Sequence, residues 1–219
     1  MRLEDLRGNY DAIYSLGDLC LAALQLRKNN LRPFAGPLDW MSSPSLPSIS
    51  LLLKNRFNGY MDKSNLMPIG YSTGVDSTEQ YLCVTDTGYQ IVSSHDFKAS
   101  KNTFTNLATY PEVKAKFDRR VKKFLDILST GKRILFIRTE GTFEEILQLE
   151  SVISQLVKND FHILLVNHTD TNDLIEKDWP VESVCAIELP DVEKWQGNDE
   201  YWRSIFKDIT ITASKKEVL

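Results

Sequence analysis

Arg133-Ile134-Leu135-Phe136-Ile137-Arg138 is an apolar run closed at each end by arginine, and Ile163-Leu164-Leu165-Val166 is a second such run. Between them, residues 142–158 read as a helix. Short runs that are apolar throughout, rather than alternating, are what strands buried on both faces require. Strand, helix and strand in that order predict a parallel sheet covered by helices. Downstream, residues 173–178 read as a helical turn, 183–189 as a further strand and 199–206 as a last helix.

Upstream, residues 10–16 read as a first strand, with Ala12, Ile13 and Tyr14 as its apolar run. Residues 18–29 read as a helix with Asp18 as N-cap and Leu19, Ala22, Ala23 and Leu26 on its core face. Residues 46–57 predict a short helix. Residues 60–80, polar and holding Gly70 and Gly74, predict a surface loop. Two strand-like runs, 81–85 and 89–93, flank a turn with Asp86 and Gly88 and predict a small β-hairpin. Pro111 opens a helix to about residue 129, with Val113, Phe117, Val121, Phe124 and Leu128 at helical spacing. The expected fold is α/β, three-layered, with a mostly parallel, doubly wound sheet. It forms one domain over 1–219 with its core at about 10–208, and residues 1–8 and 213–219 frayed.

The 219 residues carry 42% hydrophobic and 26% charged side chains, the balance of a soluble globular chain. A net charge of −4 with a pI near 5.5 offers no electrostatic basis for nucleic-acid binding. No apolar run reaches the roughly 18 residues of a membrane span. The charged start, Met1-Arg2-Leu3-Glu4-Asp5-Leu6-Arg7, predicts no secretory leader. Cys20, Cys83 and Cys185 are odd in number and widely spaced, which argues against a disulfide framework or a cysteine-based metal site and for a reducing cytoplasm. No GxGxxG, GxxxxGK[ST] or HExxH spacing occurs, so no cofactor and no metal are expected. Oligomeric state is not legible.

In a parallel sheet, functional groups collect at the C-terminal strand ends. Three segments fall there: 15–20, 138–140 and 167–170. In Ser15-Leu16-Gly17-Asp18-Leu19-Cys20, a glycine turn places Cys20 in the first turn of a helix. Backbone N–H groups and the helix dipole gather at such a point and lower a thiol pKa. The alternative is a buried structural thiol. The N–H groups of Leu19 or Cys20 would face an oxyanion, with Ser15, Gly17 and Asp18 shaping the turn. A thiol nucleophile needs an imidazole. Topology favours His168, which follows an apolar strand; His95, before Asp96, is the other candidate, and His162 reads as structural. Adjacent side chains of a strand point opposite ways, so Asp39 or Asp18 as well as Asp96 are open as orienting carboxylates. Arg32, Arg120 and Arg138 suit an ion pair or an anionic substrate, with Arg138 the best placed. Trp40 follows Asp39 in a rigid proline loop; Trp195 and Trp202 read as core, or else as walls of a sugar-sized groove.

The set Tyr14-Ser15-Leu16-Gly17-x-x-Cys20, Pro37-Leu38-Asp39-Trp40, Ser94-His95-Asp96-Phe97 and Leu135-Phe136-x-Arg138 resembles a bacterial and viral family of unknown function catalogued as papain-like cysteine peptidases. The resemblance spans about residues 10–205. It implies Cys20 as nucleophile and His95 as base, with Asp39 and Asp96 both at family-like positions. Papain-like folds set the cysteine on a long helix and the histidine in an antiparallel half. A cysteine directly after the first strand of an α/β sheet also resembles the nucleophile placement of GDSL-type esterases, and loosely that of capsule-polysaccharide acyltransferases. The expected function is thioester-forming hydrolysis of a peptide or acyl substrate. An acyltransferase for a surface or capsular glycan and a non-catalytic binding module are the alternatives.

Overall fold

The computed structural model describes residues 1–73 and 78–212. Gly74, with the rest of 74–77, and the tail 213–219 lie outside the described residues. The chain forms strands β1 (Gly8–Tyr10), β2 (Ala12–Ser15), β3 (Met41–Ser42), β4 (Leu66–Thr73), β5 (Gln80–Asp86), β6 (Ile91–Lys98), β7 (Arg133–Thr139), β8 (Asp160–Thr169), β9 (Ile175–Lys177), β10 (Val184–Pro190) and β11 (Ile209–Ile211). Its helices are α1 (Leu21–Lys28), α2 (Leu46–Lys54), α3 (Tyr110–Thr130), α4 (Phe143–Leu156) and α5 (Asp199–Ile205).

The central sheet has the order β2-β7-β8-β10-β9. Its first four strands are parallel, as their unbroken apolar runs imply, and β9 closes the edge antiparallel. Successive side chains leave on opposite faces. Tyr14, Phe136, Leu165 and Ala186 pack on one face with α2, α3 and α4. Ile13, Leu135, Ile137, Leu164 and Ile187 pack on the other with α1 and α5. Helices therefore cover both faces. The strand order runs one way from β2 to β10 without the reversal that marks a doubly wound, Rossmann-like sheet.

Several expectations change. The hairpin grows into a four-stranded antiparallel sheet, β3-β6-β5-β4. Its edge strand β4 occupies residues read as loop, because pairing along β5 satisfies a backbone whose side chains alone are too polar to signal a strand. The helical turn at 173–178 is instead the edge strand β9, paired to β10. Where the sequence suggests a frayed start, Leu3–Leu6 form a 3-10 turn with Leu6 fully buried, and β1 pairs with β11. Among the described residues, no helix is long and apolar enough to cross a membrane.

Candidate active site

The turn carrying Cys20 is held from beneath. The Leu16 N–H donates to the Ile137 carbonyl (2.8 Å), which keeps the chain on β7 one residue beyond β2. Gly17 (φ +84°) and Asp18 (φ +75°) then pass through the left-handed region. A Cβ at residue 17 would stand 2.4 Å from Ser43 Oγ, so both conformation and space demand glycine. Within the turn, Ser15 Oγ accepts from the Gly17 N–H (3.2 Å). Ser43 locks onto Asp18 twice: its Oγ accepts from the Asp18 N–H (3.0 Å) and its N–H donates to the Asp18 carbonyl (2.8 Å).

Arg138 completes this clamp. Its guanidinium donates to the Leu16 carbonyl (3.1 Å), to Ser43 Oγ (3.1 Å), to the Ser43 carbonyl (2.8 Å) and to the Glu140 carbonyl (3.2 Å). The side chain is 0% exposed. The arginine best placed in sequence for an anionic substrate is thus spent on the protein and shut off from solvent. Asp18 does not cap α1 either. The helix begins at Leu21, and the buried Asp18 carboxyl accepts from Thr139 Oγ1 (3.4 Å), with its pKa raised by burial against the pull of Arg138.

His95 arrives from the antiparallel sheet through a bulge. Leu82 pairs with Phe97 and Val84 with Ser93, so two steps along β5 oppose four along β6. The surplus lies at Ser94–Asp96. Such bulges re-aim side chains beside active sites. His95 Nε2 stands 3.7 Å from Cys20 Sγ. The Tyr81 ring meets the imidazole edge-on, at 6.1 Å between centroids. Asp96 leaves in another direction, accepting from Ser93 Oγ and pairing with Lys116 of α3. His168, the choice of topology, is instead bonded through Nδ1 to Glu140 (2.7 Å), its side chain buried and its Nε2 unpartnered among the described residues.

The electrostatics reverse one expectation. Burial pushes the Cys20 thiol up to about 11, with the charges of Asp39 and Asp96 adding to it. Burial also holds the His95 imidazole below its ordinary value, with Asp96 opposing. The pair therefore rests as neutral thiol and neutral imidazole rather than as a preformed ion pair. The expected helix-start thiolate loses to desolvation, which penalises the charged form of both groups.

Asp39 and Arg32 do not touch the pair. Asp39 is buried and accepts from Arg32 Nε (2.7 Å) and the Gly36 N–H (2.7 Å). Arg32 in turn lies over the Trp40 ring, 5.1 Å from its centroid, and Arg27 lies 5.6 Å from it. Trp40 is a wall of a cleft of about 340 Å³. Cys20 and His95 open into this cleft beside Leu19 and Leu24, and Trp195 lines it too. Trp202, by contrast, is fully buried core. Ser72, on the strand read as loop, also reaches the cleft, as do Ser42 and Ser94. Ser42, Ser72 and Leu24 were not legible as site residues: pairing in the antiparallel sheet brings the two serines there, and Leu24 arrives on α1. The N–H groups of Leu19 and Cys20 have no protein acceptor among the described residues. Among those residues no group of three or more His, Cys, Asp or Glu side chains converges as a metal site.

Comparison with known proteins agrees with the motif set. The family described as "putative papain-like cysteine peptidase" matches residues 11–171. The chain belongs to that family. An uncharacterized protein of Acanthamoeba polyphaga mimivirus is 28% identical over 217 residues, covering 87% of this chain and 95% of its own. No solved structure matches.

Proposed function

We propose that this family member is a cysteine-nucleophile acyl hydrolase with Cys20 as nucleophile and His95 as general base. The observation that carries the proposal is the 3.7 Å approach of Cys20 Sγ to His95 Nε2 at the floor of a cleft.

Because both groups rest neutral, the proton moves as the nucleophile attacks. Nε2 of a His95 protonated at Nδ1 takes the thiol proton while sulfur bonds to the substrate carbonyl carbon, whose oxygen becomes an oxyanion. The N–H groups of Leu19 and Cys20 lie at the turn where that charge develops. The intermediate collapses as the carbon–leaving-group bond breaks, and His95 returns its proton to the leaving group. A thioester on Cys20 remains. Water, deprotonated by His95, attacks it; the carbon–sulfur bond breaks and the thiol regains its proton. Asp96 favours the imidazolium formed midway. Asp39 acts at a distance, as the residue that holds Arg32 against Trp40. The free cysteines suit a reducing compartment such as the cytoplasm. A sugar hydroxyl replacing water at the second step would make the protein an acyltransferase.

Incubation with hexanoyl-N-acetylcysteamine should add one hexanoyl group, mapped to Cys20 by mass spectrometry and absent from Cys20→Ser. A protein that stays unmodified and turns over no thioester, with or without added sugar, is a binding module and not this enzyme. Turnover in buffer alone marks a hydrolase, whereas turnover only with added sugar marks a transferase.

A further inference from the structure

Resting on the nucleophile reading above, the lining of the cleft narrows what Cys20 can accept. Leu19 and Leu24 line one part, and the indoles of Trp40 and Trp195 add aromatic walls. Its polar members are serine hydroxyls and the reacting pair itself, and two of those hydroxyls are engaged elsewhere: Ser72 donates to the Ser94 carbonyl (2.6 Å) and Ser94 accepts from Cys83 (3.7 Å). Among the described residues, no lysine, arginine, aspartate or glutamate lines it. An ionised substrate group placed there would lose its water without gaining an opposite full charge from those residues. The cleft also stands near the lower end of the roughly 300–1,000 Å³ spanned by small-molecule sites, room for one short group beside the reacting carbonyl.

Trp40 is held in place. Arg32 covers its ring from outside the lining, and Asp39 fixes Arg32 while the Gly36 N–H fixes Asp39. A buried carboxylate and a guanidinium are thus committed to keeping one indole in position.

We infer that the cleft is a selectivity pocket for an uncharged, apolar acyl group, with Trp40 and Trp195 as walls and Asp39 and Arg32 as positioning residues for Trp40. The chemistry recognised is a hydrocarbon chain or ring within a few carbons of the reacting carbonyl, whether from an acyl thioester or from an apolar amino-acid residue of a peptide.

The test measures single-turnover acylation of Cys20 by mass spectrometry with four N-acetylcysteamine thioesters: acetyl, hexanoyl, phenylacetyl and succinyl. Burial of the added carbons predicts hexanoyl and phenylacetyl at least about tenfold faster than acetyl, with succinyl slowest. Hexanoyl- and phenylalanyl-capped probes compared at equal concentration separate the two sources. Trp195→Ala should shrink the hexanoyl-to-acetyl ratio. Asp39→Asn should shrink it through a raised KM for hexanoyl, a change that general loosening of the fold would not confine to the longer chain. Acetyl or succinyl reacting as fast as hexanoyl overturns the pocket and leaves the nucleophile standing. Failure of all four thioesters to modify Cys20 overturns both.

Discussion

The parallel sheet and the antiparallel sheet each deliver one half of the candidate dyad, by opposite means. β2 and β7 are buried on both faces, and the chain leaving them is clamped by Arg138 and Ser43 before it reaches Cys20. β6 gives up regular pairing instead, carrying two surplus residues so that His95 can turn toward the sulfur. Rigidity comes from buried backbone contacts in the first case and from an irregularity in the second. The resemblance to papain-like proteins implies a nucleophile at a helix and a histidine in an antiparallel half. Here Cys20 precedes a short α1 rather than a long helix, with a parallel sheet behind it, and His95 lies on the antiparallel β6.

The largest effect separates the chemical contributions of the two halves. His95→Gln should slow acylation of Cys20 at neutral pH by about 10²–10⁴-fold, the usual worth of a general base. The residual rate should climb with each pH unit toward the thiol pKa of about 11, since only thiolate then reacts. The unaltered protein should instead gain rate as pH rises through the His95 pKa, below its ordinary 6.5, and then level off. Identical profiles for the two proteins would remove His95 from the mechanism.

Next comes the difference in rigidity. Arg138→Met leaves buried carbonyls of Leu16 and Ser43 without donors and should cost about 3–5 kcal/mol, read by urea denaturation. Met67→Thr, at a half-exposed site on the antiparallel edge strand, should change stability by about 0.5 kcal/mol or less. Comparable losses would mean that the two sheets are equally constrained.

The smallest effect tests the charge that links them. Asp96 raises the Cys20 pKa from the antiparallel side. Asp96→Asn should therefore speed iodoacetamide alkylation of Cys20 at pH 8, by about two- to fivefold. An unchanged or slower rate would show that this charge does not reach the thiol.

Continuous apolar runs made the parallel strands and the helices between them legible, because burial on both faces leaves a composition nothing else matches. The strand at Leu66–Thr73 was not legible: its side chains are half-exposed and mixed, and its stability lies in pairing with β5, a partner that no local pattern names. The edge strand at Ile175–Lys177 escaped for the same reason. Within the site, Cys20 was marked by its glycine turn and by linked motifs. His95 owed its place to the motifs alone, since sheet topology pointed to His168.

By itself, then, the amino-acid sequence determined the layered α/β core, the glycine turn at residue 17 and the candidate nucleophile. These depend on near neighbours and on hydrophobic period. Only the tertiary structure decided that Arg138 is a clamp, that Asp39 pairs with Arg32, and that burial favours the uncharged forms of Cys20 and His95. Each follows from which groups lose their water together, and desolvation is a property of the packed molecule rather than of any segment.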